Sequence, residues 1–566
     1  MAETAPSPSA AFRFPNDPLL VRLLEAAKRV GGSEVIIEDF TGFRKTYLEL
    51  LADVLETRDQ LKSLIPSSNF DARGLLHEEN VYVTALTRTG YQYVVAFYAV
   101  RALGGAYTPL DPRASVERQA SVISRGKANC VLFDRGCTAE LERLRGYVDE
   151  TEGKSLVTVP IPCDSPALPE LNISIDESLH LDPDGPGYVC MTSGTTGYSK
   201  GVVIRRTCLT SHPVDLTSEP LEEQGGAQVN YNESHWLGGA KNVIESIALG
   251  KKVFALECPA GARAVLDVFQ RERITYFVFN PALLRGMRDI LLGDEQLTKE
   301  KQEKFPAYFS GLKFFLCIGG LVDQPTVDFW EAVIGRPLQN RYGASELTGL
   351  VTTGLTKING SVGKLSPGIE MKLSEGRHGR LSIKSPNRFL GYLGEPEKTR
   401  EALDEEGYYH TGDMVDLRDD ELLLLGRERD DYIVYGNSWT SAIKVENCLM
   451  GLSYIAVACV VAVPVEQGKQ LCGAVVRLKN GVEPEKITLD RVRADLQADL
   501  DVTSLPTLLR LLGPQEDLPR TATGKPIKYQ VMEDFFYAGD CGRDWFAVEN
   551  PPHDVEFCGL PIAVAA

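Results

Sequence analysis

Apolar and polar positions run in alternating blocks along this chain, and the blocks predict strands and helices in a repeating order. Thr46-Tyr47-Leu48-Glu49 reads as a capping box, with a hydroxyl at the cap and a carboxylate three residues on; it opens a helix with Leu48, Leu51 and Leu55 on one face. Residues 81–86 predict an apolar strand, and residues 91–103 a helix stopped by Gly104-Gly105. Short strand-like runs follow at 130–133, 187–190, 253–256, 276–279 and 314–318, separated by helical segments. Alternation of this kind implies parallel-rich sheets flanked by helices, an α/β architecture. The proline-rich stretch 160–169 predicts a surface excursion. Beyond Gly426 the pattern changes to runs at 454–463 and 471–478 and an amphipathic stretch at 487–500, a compact α+β set. The charged segment 426–431 marks the boundary, dividing a large N-terminal domain, 1–425, from a small C-terminal domain, 426–566.

The length of 566 residues agrees with at least two domains. A formal charge of −18 argues against nucleic acid or an anionic membrane as the main partner, while leaving room for a nucleotide, whose site needs only local positive charge. The twelve cysteines contain no C-x-x-C pair, and Cys130, Cys190, Cys317 and Cys459 lie in apolar runs, a pattern of reduced, buried thiols. The seven histidines lack metal-ligand spacing. The chain carries no signal peptide pattern and no apolar run long enough to span a bilayer, so a cytoplasmic protein is expected.

Candidate chemistry begins with residues 191–201, M-T-S-G-T-T-G-Y-S-K-G, directly after a predicted strand. Glycines let backbone N–H groups approach a phosphate chain and hydroxyls add donors; as an alternative the segment is a polar loop. Gly201 follows Lys200, which excludes a Walker loop, where Ser or Thr must follow the lysine. Further on, Tyr342 stands beside Gly343 with Glu346 four residues later, a ring to stack on a purine and a carboxylate for a hard cation. Asp413 sits in Y-H-T-G-D as on a tight turn, suited to two ribose hydroxyls. Gly319-Gly320 leaves room for a flat ligand, and P-R-T-A-T-G-K, 519–525, is a second polar loop ending in Lys525. Read singly, these are equally a core tyrosine, a helix-capping glutamate and solvated lysines.

Together and in this order they resemble the adenylate-forming superfamily: acyl-CoA synthetases, nonribosomal peptide synthetase adenylation domains and firefly-type luciferases. The phosphate loop T-S-G-T-T-G-x-P-K-G matches 192–201 with Ser199 in place of Pro. Y-G-x-T-E matches 342–346 with Ser345 for Thr; T-G-D matches 411–413, F-x-G-Y matches 389–392, and P-R-T-x-T-G-K matches 519–525. The resemblance implies ATP, Mg²⁺ and CoA, a small carboxylic acid substrate, and a mobile C-terminal domain. Thr192, Ser193, Gly194, Thr195, Thr196, Gly197 and Lys200 would surround the phosphates. Asn340, Arg341, Tyr342, Gly343, Ala344 and Ser345 would border the nucleotide, Tyr342 stacking on adenine with Asn340 and the backbone of Gly319, Gly320 and Leu321 at its edge. Glu346 and Thr196 would hold Mg²⁺, Asp413 and Arg427 the ribose, and Lys525 would reach the substrate carboxylate and α-phosphate. Arg429 matches the pivot position and is otherwise a surface charge. His235, Trp236, Gly238, Arg341 and Gly343 would line the acid pocket, His235 being either a pocket and catalytic residue or a core histidine. Arg341 stands where some small-dicarboxylate ligases of the superfamily carry an arginine, and otherwise faces solvent.

One segment departs from the pattern. CoA-using members commonly read G-Y-x-[IV]-x-P-x-E-[IL]-E, whereas 436–446 here lacks the aromatic and the proline and reaches Glu446 with one extra residue. An acid–CoA ligase is the primary expectation. The alternatives are an amide or ester synthetase, a ligase loading a separate carrier protein, and a non-catalytic nucleotide-binding regulatory protein. No attached carrier domain is expected.

Overall fold

The computed structural model describes residues 12–128, 130–192, 200–209, 225–293, 305–355, 360–427, 431–435, 438–464, 470–521, 525–536 and 555–557. Its largest sheet has seven strands in the order Gly391–Tyr392, Gly201–Arg205, Pro186–Met191, Ala106–Leu110, Tyr82–Leu86, Cys130–Phe133, Val157–Pro160. The last five are mutually parallel and the first two antiparallel. A second sheet orders Ala227–Asn230, Lys252–Ala255, Val35–Asp39 and Arg44–Thr46, and a third is the parallel trio Val278–Phe279, Leu316–Ile318, Gln339–Arg341. An antiparallel sheet of Glu370–Glu375, His378–Lys384, Tyr409–Arg418 and Glu421–Arg427 follows. This is the parallel-rich α/β layout that the alternating pattern predicts.

The capping box forms as read: Thr46 Oγ1 accepts from the Glu49 amide and Glu49 Oε2 accepts from the Thr46 amide at 2.9 Å, opening the helix Tyr47–Leu64. Its buried side is wider than expected. Tyr47, Leu50, Leu51, Val54 and Leu55 are in the core while Leu48 is half-buried, because the helix packs beneath two neighbours at once. The proline-rich stretch is held more firmly than expected. Ile161 and Cys163 are buried, the Ser165 amide donates to Asp53 Oδ1 at 2.9 Å, and the Leu168 amide donates to the Leu48 carbonyl. The segment runs over the surface, exposed at 160, 164, 166, 167 and 169, but it is fastened along that helix.

Every residue of the helix Tyr91–Ala102 is buried, the mark of a central helix, and that buries Arg101 completely. Asp17 answers the charge. Its Oδ1 caps the helix Pro18–Val30 by accepting from the Leu19 amide at 3.0 Å, and its Oδ2 takes Arg101 Nη2 at 2.6 Å. A second guanidinium, Arg206, approaches the same oxygen at 3.8 Å, and burial followed by repulsion from Arg101 lowers its pKa to about 10. Glycine at 187 is obligatory here, since a Cβ would overlap the Arg101 guanidinium.

From residue 433 onward the chain has cores of its own. One joins Ile433, Val445, Leu449, Val460, Val476 and Val492; the other joins Val461, Val475, Leu508 and Val531. They lie on the two faces of the sheet Ile455–Pro464, Gln470–Leu478, Leu508–Leu511, Val555–Phe557.

Asp17→Asn keeps a capping oxygen but leaves Arg101 and Arg206 without their anion. The expected loss is about 3–5 kcal/mol, the usual cost of breaking a buried ion pair from one side. Denaturant unfolding of the variant beside the parent chain checks this; a loss under about 1 kcal/mol, the level of an exposed pair, would show that water reaches the site.

Candidate active site

The glycine-rich loop springs from a closed base. Met191 pairs with Gly201 across antiparallel strands, the Thr192 amide donates to the Lys200 carbonyl at 3.0 Å, and the Lys200 amide donates to Thr192 Oγ1 at 3.2 Å. Ser193, Gly194, Thr195, Thr196 and Gly197 lie outside the described residues, as does Arg429. Lys200 Nζ stands 4.6 Å from the centre of the Tyr392 ring, and the Tyr392 hydroxyl donates to Glu346 Oε1 at 2.8 Å. Tyr392 reaches this place because Gly391–Tyr392 adds to the edge of Gly201–Arg205. Burial, then the Glu346 charge, pushes its phenol well above the ordinary range, so it stays a donor. Lys200, Tyr392 and Glu346 thus form one polar line from the loop base to the candidate cation ligand.

Strand alternation separates two ligand faces. Cys317 pairs with Asn340 and Ile318 with Arg341 in the parallel trio, and Cys317 packs with Phe279, Phe315 and Trp330 in a buried core. Asn340 therefore lies on that core's face, and Arg341 lies on the opposite face with Leu316. Asn340 Oδ1 is buried with no hydrogen-bond partner among the described residues, an acceptor suited to an adenine amine. Gly319 follows at φ 87° with open space where a side chain would stand, and Gly320 and Leu321 continue its rim. Tyr342 is buried beneath, its amide donating to Thr352 Oγ1 at 2.8 Å and its hydroxyl to Asp413.

Asp413 lies within the strand Tyr409–Arg418, where a turn was expected. The ladder to His378–Lys384 jumps from Ser382–His410 to Arg380–Met414, so Thr411-Gly412-Asp413 bulges out of it. On its other side Asp413 pairs with Arg427, whose Nε stands 3.1 Å from Oδ1. Burial raises the Asp413 carboxyl and Arg427 opposes the rise. Lys525 ends a hairpin closed by the Thr521 amide on the Lys525 carbonyl at 2.7 Å and by the Lys525 amide on Thr521 Oγ1. Its stem is exposed but its ammonium is crowded; burial, then Arg427, lowers its pKa, and Asp413 resists. The structure therefore gathers Tyr342, Asp413, Arg427 and Lys525 at one place.

On the other side, Arg341 is 6% exposed, and its Nε and Nη1 have no hydrogen-bond partner among the described residues. Desolvation lowers its pKa, and Gln339 takes its remaining nitrogen. The solvent-facing alternative is excluded. Over this sheet face, the helix Leu237–Ala248 follows His235 and Trp236, with Gly238 opening onto free space. A small pocket lies between this helix and the sheet edges, lined by Lys241, Glu245, Lys251, Tyr276 and Leu316. Lys241 Nζ pairs with Glu245 at 2.8 Å and reaches the Thr348 carbonyl, two residues past Glu346, so the cavity adjoins the candidate site. Gly343 packs against the Gly349 carbonyl, leaving no room for a side chain; Ala344 and Ser345 carry the chain into the short turn bearing Glu346.

His235 is buried in a charged nest. Its Nε2 stands 3.3 Å from Glu233 and 3.7 Å from Asp111, while Arg113 pairs with Glu233 and Trp236 Nε1 donates to Glu233 at 3.1 Å. Burial dominates and lowers the imidazole to about 4, so the ring is neutral at physiological pH. Lys241, Glu245, Asp111, Arg113 and Glu233 were not singled out from sequence, and Tyr392 only as the last residue of the F-x-G-Y match. Only the i,i+4 spacing of Lys241 and Glu245, one turn into the helix after His235, offered a signal.

The family model for AMP-binding enzymes matches residues 25–393, and the model for the AMP-binding enzyme C-terminal domain matches residues 444–525. Acyl-CoA ligase oryP of Aspergillus oryzae is 30% identical over 533 residues, covering 92% of this chain and 93% of that protein. The malonate–CoA ligase of Arabidopsis thaliana is 26% identical over 375 residues, 62% of this chain and 61% of that one. Among solved structures, ATP-bound MatB from Rhodopseudomonas palustris superposes with a TM-score of 0.72 at 22% identity, over 91% of this chain and 98% of that chain. Amide bond synthetase McbA from Marinactinospora thermotolerans gives 0.71 at 22% identity, over 90% and 99%. The chain belongs to the AMP-binding, adenylate-forming enzymes and within them is like the acid–CoA ligases.

Proposed function

We propose that this acid–CoA ligase activates a small carboxylic acid that carries a second negative charge. The observation behind the reading is Arg341. A guanidinium stays charged in a protein, so one that is buried with two open donors asks for an anion, and a carboxylate fits its fork. The similarity to a malonate–CoA ligase supports a dicarboxylic acid.

The first bond forms between an oxygen of the reacting carboxylate and the α-phosphorus of ATP, and pyrophosphate leaves. Two anions must meet, so the work of the chain is to orient them and offset their repulsion. Lys525 would bridge the carboxylate and α-phosphate; its ammonium, made costly by burial and Arg427, is relieved when those anions arrive. Tyr342 would stack on adenine with Asn340 accepting from its amine, and Asp413 with Arg427 would hold the ribose. Thr192 and Lys200 would hold the β- and γ-phosphates with the hydroxyl-rich loop between them. The carboxylate of Glu346 and the hydroxyl of Thr196 are the hard oxygen ligands that Mg²⁺ prefers, and the ion would supply charge neutralisation on the phosphates. Neutral His235 and Trp236 would close the pocket around the acid. The thiol sulfur of CoA then bonds to the acyl carbon as the C–O bond to AMP breaks, and the thiol proton is lost to solvent. We assign residues 1–425 to nucleotide and acid binding and 426–566 to the mobile unit bearing Lys525, with Arg429 at its pivot.

A second reading, amide or ester synthesis from the same adenylate, is favoured by the departure of residues 436–446 from the usual thiol-user pattern.

Three outcomes are expected. Lys525→Ala lowers acid-dependent ATP–pyrophosphate exchange about 10²–10³-fold while ATP binding changes little; near-parental exchange removes the lysine from the chemistry. Arg341→Met raises KM for a dicarboxylic acid by roughly 10–100-fold and lowers it, or leaves it unchanged, for the matched monocarboxylic acid. Equal effects on both acids would count against a second-anion site. With a turned-over acid, added CoA accelerates AMP formation and yields a thioester by mass spectrometry; adenylate without thioester, and product with an amine or alcohol instead, would establish the second reading.

A further inference from the structure

Lys528, the first residue of the helix Lys528–Phe536, has no part in the reading above. Its Nζ stands 2.5 Å from Asp431 Oδ1 and 3.1 Å from Glu446 Oε1, and the three side chains are only 13–18% exposed. Burial disfavours the ammonium, but the two carboxylates outweigh it and hold Lys528 above the ordinary lysine range. Asp431 uses its second oxygen elsewhere. Oδ2 accepts from the Arg427 amide at 2.9 Å, and the Asp431 amide donates back to the Arg427 carbonyl at 2.8 Å. Gly426 admits this close return, with φ 122° and a position where a Cβ would meet Asp431 Cβ at 2.6 Å. The Asp431 carbonyl accepts from the Ala442 amide at 2.7 Å, and Glu446 also accepts from the Val460 amide at 2.8 Å, so both carboxylates are themselves fixed.

On the other side, Lys528 is three residues from Lys525, and the intervening chain is pinned. The Ile527 amide donates to the Pro519 carbonyl at 2.8 Å, and Arg520 bridges Pro526. The contacts form a chain: Asp413 to Arg427, Arg427 backbone to Asp431, Asp431 to Lys528, and Lys528 through a short pinned stretch to Lys525, which lies near enough to Arg427 and Asp413 for their charges to act on it.

We infer that Lys528 is a positioning residue for adenylation, clasping the loop of Lys525 to the strand of Arg427 through the carboxylate of Asp431. The inference rests on the reading that Lys525 serves the adenylation step. A long ammonium arm seated between two fixed carboxylates sets where the helix begins, and the helix start sets how far the Lys525 hairpin projects toward the ribose-binding pair. Misplacement of a catalytic group by an ångström is enough to cost about 100-fold in rate.

The experiment compares Lys528→Met, Lys528→Arg, the double variant Lys528→Met with Glu446→Gln, and Lys525→Ala. The double variant neutralises one of the two carboxylates that lose their cation, and Asp431 keeps the Arg427 amide, which limits the cost to folding. For each protein the readouts are ATP–pyrophosphate exchange, KM for ATP, thioester formation from supplied acyl-adenylate, and thermal unfolding. Lys528→Met and the double variant are expected to lose exchange by up to about 100-fold in kcat, with KM for ATP unchanged and thioester formation from adenylate retained. Lys528→Arg is expected to recover most of the exchange. The inference is overturned if the double variant exchanges at the parental rate, or if both half-reactions fall together in step with thermal stability. Should Lys525→Ala keep full exchange, the underlying reading fails and takes this inference with it; should Lys525→Ala lose exchange while Lys528→Met keeps it, the clasp alone is wrong.

Discussion

An arginine cannot shed its proton inside a protein, so every buried guanidinium obliges the fold, or a ligand, to bring an anion to it. This chain meets the obligation in two ways. Arg101, enclosed by a helix with no exposed residue, is met by Asp17, which also caps a helix and so cannot move away. The terminus of the first helix, the central helix and the close approach at Gly187 all hang on that one carboxylate. Arg341 is also buried, yet the described part of the fold gives it only an amide oxygen. The inventory of partners, without appeal to position, marks Arg101 as structural and is what supports the proposal that Arg341 is held for a ligand.

Short stretches whose chemistry is contiguous were legible in the sequence; meetings between distant stretches were not. The capping box, the strand before the glycine loop and the polar loop ending in Lys525 need only neighbours within a few residues, and they stand where the pattern put them. Asp413 was read as a carboxylate on a tight turn, whereas it stands in a strand beside a bulge defined by the ladder to His378–Lys384, which no local signal announces. The faces of Asn340 and Arg341 follow from strand alternation only once Cys317 is known to point into a core. The proline-rich stretch shows the same limit. Prolines forbid regular ladder bonding, but they do not forbid docking, and Asp53 supplies the acceptor that holds Ser165 against the helix.

Around His235 the protein collects two carboxylates and one guanidinium, and still the imidazole is driven neutral. Desolvation decides the matter: a second charge in that volume would have to leave water for a nest whose carboxylates are already engaged by Arg113 and Trp236. On the proposed reading, a neutral ring packed on Trp236 would add shape to the acid pocket without adding a second cation beside Arg341.

The segment where the resemblance weakens has a physical account. Glu446 ends that segment, and its carboxylate faces inward onto Lys528 and the Val460 amide. Ser441, five residues earlier, caps the helix Ala442–Gly451 and fastens it to the Leu425 carbonyl. What lies between Tyr432 and Ser441 is a two-stranded hairpin, and a hairpin absorbs an added residue at its tip without disturbing its ends. Residue 437, where the aromatic is missing, lies outside the described residues, while Ser441 and Glu446 hold the helix that follows. On the proposed reading, the altered segment would bear on which nucleophile is taken more than on the first half-reaction.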